Sequence, residues 1–390
     1  MKPKVAIVKC KSYRQAQVDA AVRQSLELIS GLDKTIKPGN RVLIKVNALM
    51  GKDPELGITT HPALVTAIVK LVKALGAIPL VGDSPGDGSA NVHKVMSKCG
   101  FTKATEEAGG ELISFEKAGT KDIPSPSQHK KIKTLKISKA VLKADVIINL
   151  PKLKTHGWTL YTGAIKNLFG CITGFNKASF HFAAPKCKDF SIALVDILEI
   201  VKPTINIMDA VMGMEGQGPT EGKPRLMGAI LASFDAVALD AVAATAINYQ
   251  PLEIDMIRIA DNRQLGTGKL ANIDVVGTPL KEIIKKDWEH CANTYAITNR
   301  IPSFLEPILN PIMQKILRID PEIIQDKCKK CLVCVNNCPA KTIYFKDNTV
   351  KIDLSKCIMC YCCHELCPYK SIRLKQSWLA KVMGLGTSKG

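Results

Sequence analysis

The chain has 390 residues, 46 % hydrophobic and 23 % charged, an ordinary globular composition with apolar mass for two or three domains. No apolar run approaches the ~18–20 residues that span a bilayer. Lys2-Pro3-Lys4 leads directly into Val5–Val8 with no signal sequence, so the expected compartment is the cytoplasm. A formal net charge of +19 favours an anionic partner. Fourteen cysteines in a reducing compartment point to metal or redox chemistry.

Residues 1–285 alternate short apolar runs with amphipathic stretches, which predicts an α/β domain with a mainly parallel sheet. Val5–Cys10 reads as a strand, Gln15–Ser30 as a helix and Val42–Leu49 as a second strand. Thr60 is placed to cap a helix over His61–Leu75, where Leu64, Ile68, Leu71 and Leu75 recur at helical spacing. Pro79–Gly82 predicts a third strand. Later strands are expected at Val146–Leu150, Ile205–Met208, Gly228–Ala232 and Ile273–Val276, with helices at Ala236–Ile247 and Ile254–Arg263. Residues 286–326, punctuated by Pro302, Pro307 and Pro311, read as a connector. Residues 327–375 form a small α+β module, and 376–390 a C-terminal tail.

The module carries the strongest signal. Cys328-x2-Cys331-x2-Cys334-x3-Cys338-Pro339 is repeated as Cys357-x2-Cys360-x2-Cys363-x3-Cys367-Pro368. Thiolates are soft donors, and in this bacterial-type ferredoxin pattern the fourth cysteine of each run serves the other cluster. One 4Fe–4S cluster is therefore assigned to Cys328, Cys331, Cys334 and Cys367, and a second to Cys357, Cys360, Cys363 and Cys338. Zinc sites use paired Cys-x2-Cys units and lack the Cys-Pro ends. Cys362 breaks the spacing and is left out as a bystander thiol. Asp347-Asn348 predicts a turn between two short strands. With both clusters loaded, the net charge falls to roughly +15.

Three loops of the large domain fall where α/β sheets collect ligands, at the carboxyl ends of strands. The first, after Pro79–Gly82, offers Asp83, Ser84, Gly86 and Gly88, with glycines that let the backbone approach a ligand. The second follows Val146–Leu150. If Pro151–His156 stays extended, Lys152, Lys154 and His156 share a face. Gly163, Lys166, Asn167 and Gly170 then recur at helical spacing, and His181 lies further on. The third loop brings Glu215 as an acid, base or metal ligand. No aromatic–basic clustering supports nucleic-acid binding.

Together these segments resemble the iron–sulfur center proteins built on domain of unknown function 362 with a C-terminal ferredoxin domain. The resemblance is carried by Val42-Leu43-Ile44-Lys45-Val46-Asn47, Gly82-Asp83-Ser84-Pro85-Gly86, Asn149-Leu150-Pro151-Lys152-Leu153-Lys154-Thr155-His156 and Gly163-Ala164-Ile165-Lys166-Asn167-Leu168-Phe169-Gly170. It covers nearly the whole chain except the connector, and implies architecture but no substrate. Tyr161–Lys166, with His181 beyond it, is also similar to the lysine and histidine segment of nickel-pincer lactate racemases. That likeness would give the lysine a covalent cofactor and the histidine a nickel ion, although the flanking residues differ.

The expectation from these readings is a redox enzyme of an anaerobically growing microbe. Two clusters would exchange electrons with a redox partner protein and with an anionic substrate in the large domain. Lys166, His156, His181 and Glu215 are the candidate catalytic residues; Lys152, Lys154, Asn167, Asp83, Ser84, Gly86 and Gly88 would bind the ligand or a further cofactor. The alternative is a ferredoxin-type carrier or ligand sensor without catalysis, and the sequence leaves the two open.

Overall fold

The computed structural model describes residues 2–88, 90–174, 176–291 and 319–377. Its large domain contains β1 (Lys4–Lys9), β2 (Arg41–Lys45), β3 (Ile78–Gly82), β4 (Glu111–Leu112), β5 (Thr120–Pro124) and β6 (Thr134–Ser138). It continues with β7 (Val146–Asn149), β8 (Lys152–His156), β9 (Leu160–Thr162), β10 (Ile205–Glu215), β11 (Lys223–Ser233) and β12 (Asp274–Gly277). The main sheet has the order β12-β1-β11-β10-β7-β2-β3-β4, with β8 and β9 attached through β10. β10, β7, β2, β3 and β4 run parallel, while β11 pairs antiparallel with both β10 and β1.

The central strands are apolar on both faces because helices cover both faces. Alternation along each strand divides the side chains between two cores. Val5, Ile7, Leu43, Ile147 and Met208 enter one, with helices Cys187–Val201, Ala236–Ala246 and Asp255–Asn262. Ala6, Val8, Val42, Ile44, Val146 and Ile148 enter the other, with helices Gln15–Leu28 and Pro62–Ala74. The α/β expectation holds for this domain.

Two local readings change. The helix predicted to be capped by Thr60 begins at Pro62, and the His61 ring caps it by accepting from the Ala63 N–H. Thr60 Oγ1 instead donates to the Leu150 carbonyl at 2.7 Å. The third loop is shorter than expected, because β10 continues to Glu215 by pairing with β11 as far as Lys223.

The small antiparallel sheets of the C-terminal region comprise β13 (Ile319–Ile323), β14 (Ile343–Lys346), β15 (Thr349–Ile352) and β16 (Ile372–Gln376). β13 pairs with β16, and β14 with β15. Asp347 and Asn348 turn that hairpin with φ of 51° and 55°, the left-handed pair a two-residue turn requires. Residues 292–318 of the connector and 378–390 of the tail lie outside the described residues. Among the described residues, no helix is long and apolar enough to cross a membrane.

Candidate active site between the domains

The carboxyl ends of β2, β3 and β7 open onto a cleft of about 820 Å³. Its large-domain wall includes Asn47, Asp83, Ser84, Gly86, Lys154 and Lys166. The opposite wall comes from the cysteine-rich module, through Asn337, Cys362, Glu365 and Leu366. The module is held there by polar contacts. Asn337 donates to Asp87 Oδ1 at 2.8 Å, the Gly88 N–H donates to Asn337 Oδ1 at 3.1 Å, and Lys52 Nζ donates to the Pro368 carbonyl at 2.9 Å.

A line of amides fixes the floor. Asn149 donates to Asn206, Asn167 donates to Asn149, and Asn47 donates to Asn167, at 2.8–2.9 Å. Lys154 Nζ ends the line, donating to Asn47 Oδ1 at 2.9 Å and to the Ile58 carbonyl at 2.7 Å. Burial, reinforced by the neighbouring charge of Lys166, holds the Lys154 ammonium well below the usual lysine range. Lys166 is likewise lowered by burial, opposed by Glu365. Among the described residues its amine makes no hydrogen bond or ion pair.

Lys166 sits on the short helix Ala164–Asn167, whose free N-terminal N–H groups are capped by Asp240. Asp240 accepts from Ala164 N at 2.6 Å, Ile165 N at 2.9 Å and the Tyr161 hydroxyl at 3.0 Å. The glycines of this segment serve that close packing. A Cβ on Gly163 would lie 2.1 Å from Asp240 Oδ1, and one on Gly170 would lie 2.1 Å from Asp83 Oδ1. The glycine face therefore packs closely against protein groups, while Gly170 also lines the cleft.

His181 and Glu365 complete the cleft lining, and His156 stands buried behind Glu365. His156 Nδ1 accepts from Trp158 N at 3.0 Å and Thr159 N at 3.3 Å, which leaves the neutral ring's proton on Nε2. That atom faces Glu365 Oε1 at 3.6 Å. Burial and the cations of Lys166 and Lys154 keep His156 neutral. Burial raises Glu365 to about 7, against the lowering effect of Lys166 and Lys154. His181 lies against Trp158 and Phe190, and burial pushes it down to about 3. Its Nδ1 has no hydrogen-bond partner among the described residues.

Several candidates occupy other places. Lys152 shares a strand face with Lys154 but turns to Asp209, 2.9 Å away, and Tyr13; it does not reach the cleft. Glu215 is bound by Arg225 at 2.6 Å and by the Glu289 N–H, so it supplies no free carboxylate there. Asp83 is paired with buried Lys45 at 2.6 Å. Ser84 is engaged by Glu116 and Lys177, and Gly88 docks the module through Asn337. The sequence reading missed Glu365, Lys45 and Lys177. For Glu365 a signal existed: it stands where the first cysteine run has Asn336.

The module gathers its cysteines in two crossed sets. One cavity of about 330 Å³ is lined by Cys328, Cys331, Cys334 and Cys367, and another of the same size by Cys338, Cys357, Cys360 and Cys363. Left-handed backbone at Lys330, Leu332 and Lys341 is matched at Met359, Tyr361 and Lys370. Thr342 N and Ser371 N donate to the Cys338 and Cys367 sulfurs, each at 3.3 Å; such N–H···S contacts tune cluster potentials.

Comparison with known proteins agrees with this geometry. The model of "Domain of unknown function (DUF362)" matches residues 42–245, and "4Fe-4S dicluster domain" matches residues 320–368. A thylakoid-associated protein of Synechocystis sp. is 36 % identical over 251 residues, which are 64 % of this chain and 76 % of the relative. The lactate racemase apoprotein of Thermoanaerobacterium thermosaccharolyticum overlays 60 % of this chain and 54 % of its own, with a TM-score of 0.39 and 14 % identity. The C-terminal region is thus a ferredoxin-type, iron–sulfur-binding domain suited to electron transfer. The chain belongs to the family of domain of unknown function 362, with a 4Fe–4S domain at its C-terminal end.

Proposed function

We propose that the protein is a cytoplasmic oxidoreductase of a microbe that grows without oxygen, taking an anionic substrate into the interdomain cleft. One observation carries the reading. Buried Lys154 and half-buried Lys166, neither with a carboxylate partner among the described residues, share a cleft with Cys362, which is hydrogen-bonded to the cluster-set cysteine Cys360. Perturbed cations in a cleft are the usual mark of a functional site. Two 4Fe–4S clusters, on the crossed cysteine sets, would supply single electrons. Lys154 and Lys166 hold and orient the anion, with Lys154 pinned by Asn47 and Lys166 free to meet the ligand. His156 presents its Nε2 proton beside them. Closure by Leu366 and Glu365 limits water.

Anaerobically purified protein should carry about eight irons and eight sulfides per chain. Calorimetric titration with phosphate and with small mono- and dicarboxylates should find a ligand whose binding falls at least about tenfold, ~1.4 kcal/mol, in Lys154→Gln and in Lys166→Gln. A chain with about four irons removes the two-cluster assignment. Equal binding and turnover by Lys166→Ala and the unaltered chain removes the active-site assignment.

A further inference from the structure

The inner face of the cluster module closes the cleft, and its outer face carries a different chemistry. Of all the cysteines, Cys331 alone is exposed. It ends the run Gln325–Cys331, in which Lys327, Lys329 and Lys330 are all exposed and Asp326 is the single carboxylate. Lys329 lines the same cavity as Cys328, Cys331, Cys334 and Cys367. Among the described residues these three lysines hold no ion pair. Five other cations of the module are paired: Lys351 with Asp347, Lys356 with Asp353, Lys370 with Glu221, and Arg373 and Lys375 with Glu322; Lys341 and Lys346 stand singly, away from the exposed sulfur's run.

Unpaired cations crowded around the one exposed cluster-set sulfur repel one another and attract a surface of opposite sign. The two cysteine sets also differ in outlook. Cys331 meets solvent, whereas Cys360 is buried beside Cys362 on the cleft wall. Outward exposure shortens the path from a docked protein, and the positive rim selects which protein docks.

We infer that the Lys327–Cys331 edge is the docking site of an acidic one-electron carrier protein, which exchanges electrons through the cluster bound by Cys328, Cys331, Cys334 and Cys367. In each encounter the carrier loses one electron and that cluster gains one, with no proton or atom transferred. This face is separate from the cleft and goes beyond the substrate reading.

The test uses the full chain, purified anaerobically, and a reduced plant-type 2Fe–2S ferredoxin with an acidic surface as the probe. Stopped-flow reduction should be second order and should slow steeply as salt rises. Carbodiimide coupling to the oxidised probe, followed by peptide mapping, should place cross-links on Lys327, Lys329 and Lys330. The triple variant Lys327→Glu, Lys329→Glu, Lys330→Glu should lose at least about tenfold in rate together with most of the salt dependence. A charge-matched variant on the large domain, Lys121→Glu, Lys131→Glu, Lys133→Glu, should keep the rate within about twofold. Reduced methyl viologen, a cation, should reduce both variants as fast as the unaltered chain, which shows the clusters intact. Equal rates for the two variants, cross-links elsewhere, or no reduction of the unaltered chain by the ferredoxin would each overturn the assignment.

Discussion

Lys152 and Lys154 stand on one face of one strand, yet their surroundings are opposites. Lys152 donates to Asp209 and to the Tyr13 hydroxyl; Tyr13 donates to the other Asp209 oxygen at 2.8 Å, and the His61 N–H completes the carboxylate. The Tyr13 and His61 rings stack 3.6 Å apart and seal the node. Lys154 has neutral acceptors only, and its cationic neighbour Lys166 has neither hydrogen bond nor ion pair among the described residues. A buried charge with a matched counter-charge is architecture. Cations without matched counter-charges in a cleft mark a candidate functional site.

The contrast breaks most sharply at Asp209. Asp209→Ala leaves Lys152 charged and unpaired in a fully buried site, so stability should fall by about 3–5 kcal/mol. Chemical denaturation followed by Trp158 and Trp288 fluorescence measures it. A loss well under ~1 kcal/mol would mean that Lys152 simply sheds its proton and that the node is not electrostatic.

Gly170→Ala should come next. The new methyl would meet Asp83 Oδ1 at 2.1 Å and Lys45 Nζ at 2.6 Å, prising apart a second buried pair, with an expected loss of about 1–3 kcal/mol. The same denaturation curve checks it, and an unchanged midpoint would show that the segment shifts freely.

Asp240 offers a third setting, a buried carboxylate with no cation. Burial raises it from the ordinary 3.8 to about 7, against the lowering effect of the Ile165 and Ala164 N–H groups. The folded chain then holds a proton that the unfolded chain releases. This contribution is full below about pH 4 and lost as pH rises through about 7, at up to ~1.4 kcal/mol per unit. Asp240→Asn keeps an acceptor for the helix N–H groups and should flatten that slope in urea titrations across the window. An unchanged slope would assign the pH dependence to other groups.

The smallest stability effect belongs to Lys166. Lys166→Ala removes a cation with no ion pair to break, so stability should stay within about 0.5 kcal/mol, while calorimetry shows the loss of anion binding. Destabilisation by several kcal/mol would make Lys166 a structural residue like Lys152.

Residues whose chemistry depends on local spacing were legible in advance. The crossed cysteine sets and the Asp347-Asn348 turn both come from neighbours in sequence. Lys154, Lys166, Asn167 and His181 reached the expected cleft because strand ends and helix turns have fixed periods. Lys152 misled because alternation gives a face but not an occupant, and its occupant, Asp209, lies on β10 opposite it in register. Glu365 lies inside a cysteine motif and differs from Asn336 of the first run, but only docking of the module brings it to the lysines. Lys45 sat in plain view in an apolar strand, where a buried lysine demands a partner that only the fold identifies as Asp83.

The cleft borrows its far wall from a part of the chain that barely has a core of its own. Ile343, Val350 and Ile372 pack there with Cys363 and Cys367, too little apolar surface to fold such a segment unaided. In such small domains the free energy of metal binding is the free energy of folding. By that linkage, insertion of iron and sulfide would be what fixes Cys362, Glu365 and Leu366 against the cleft. Under the proposed function, iron supply would then act as a maturation checkpoint: an iron-starved chain would keep its lysines but lack the far wall of the cleft.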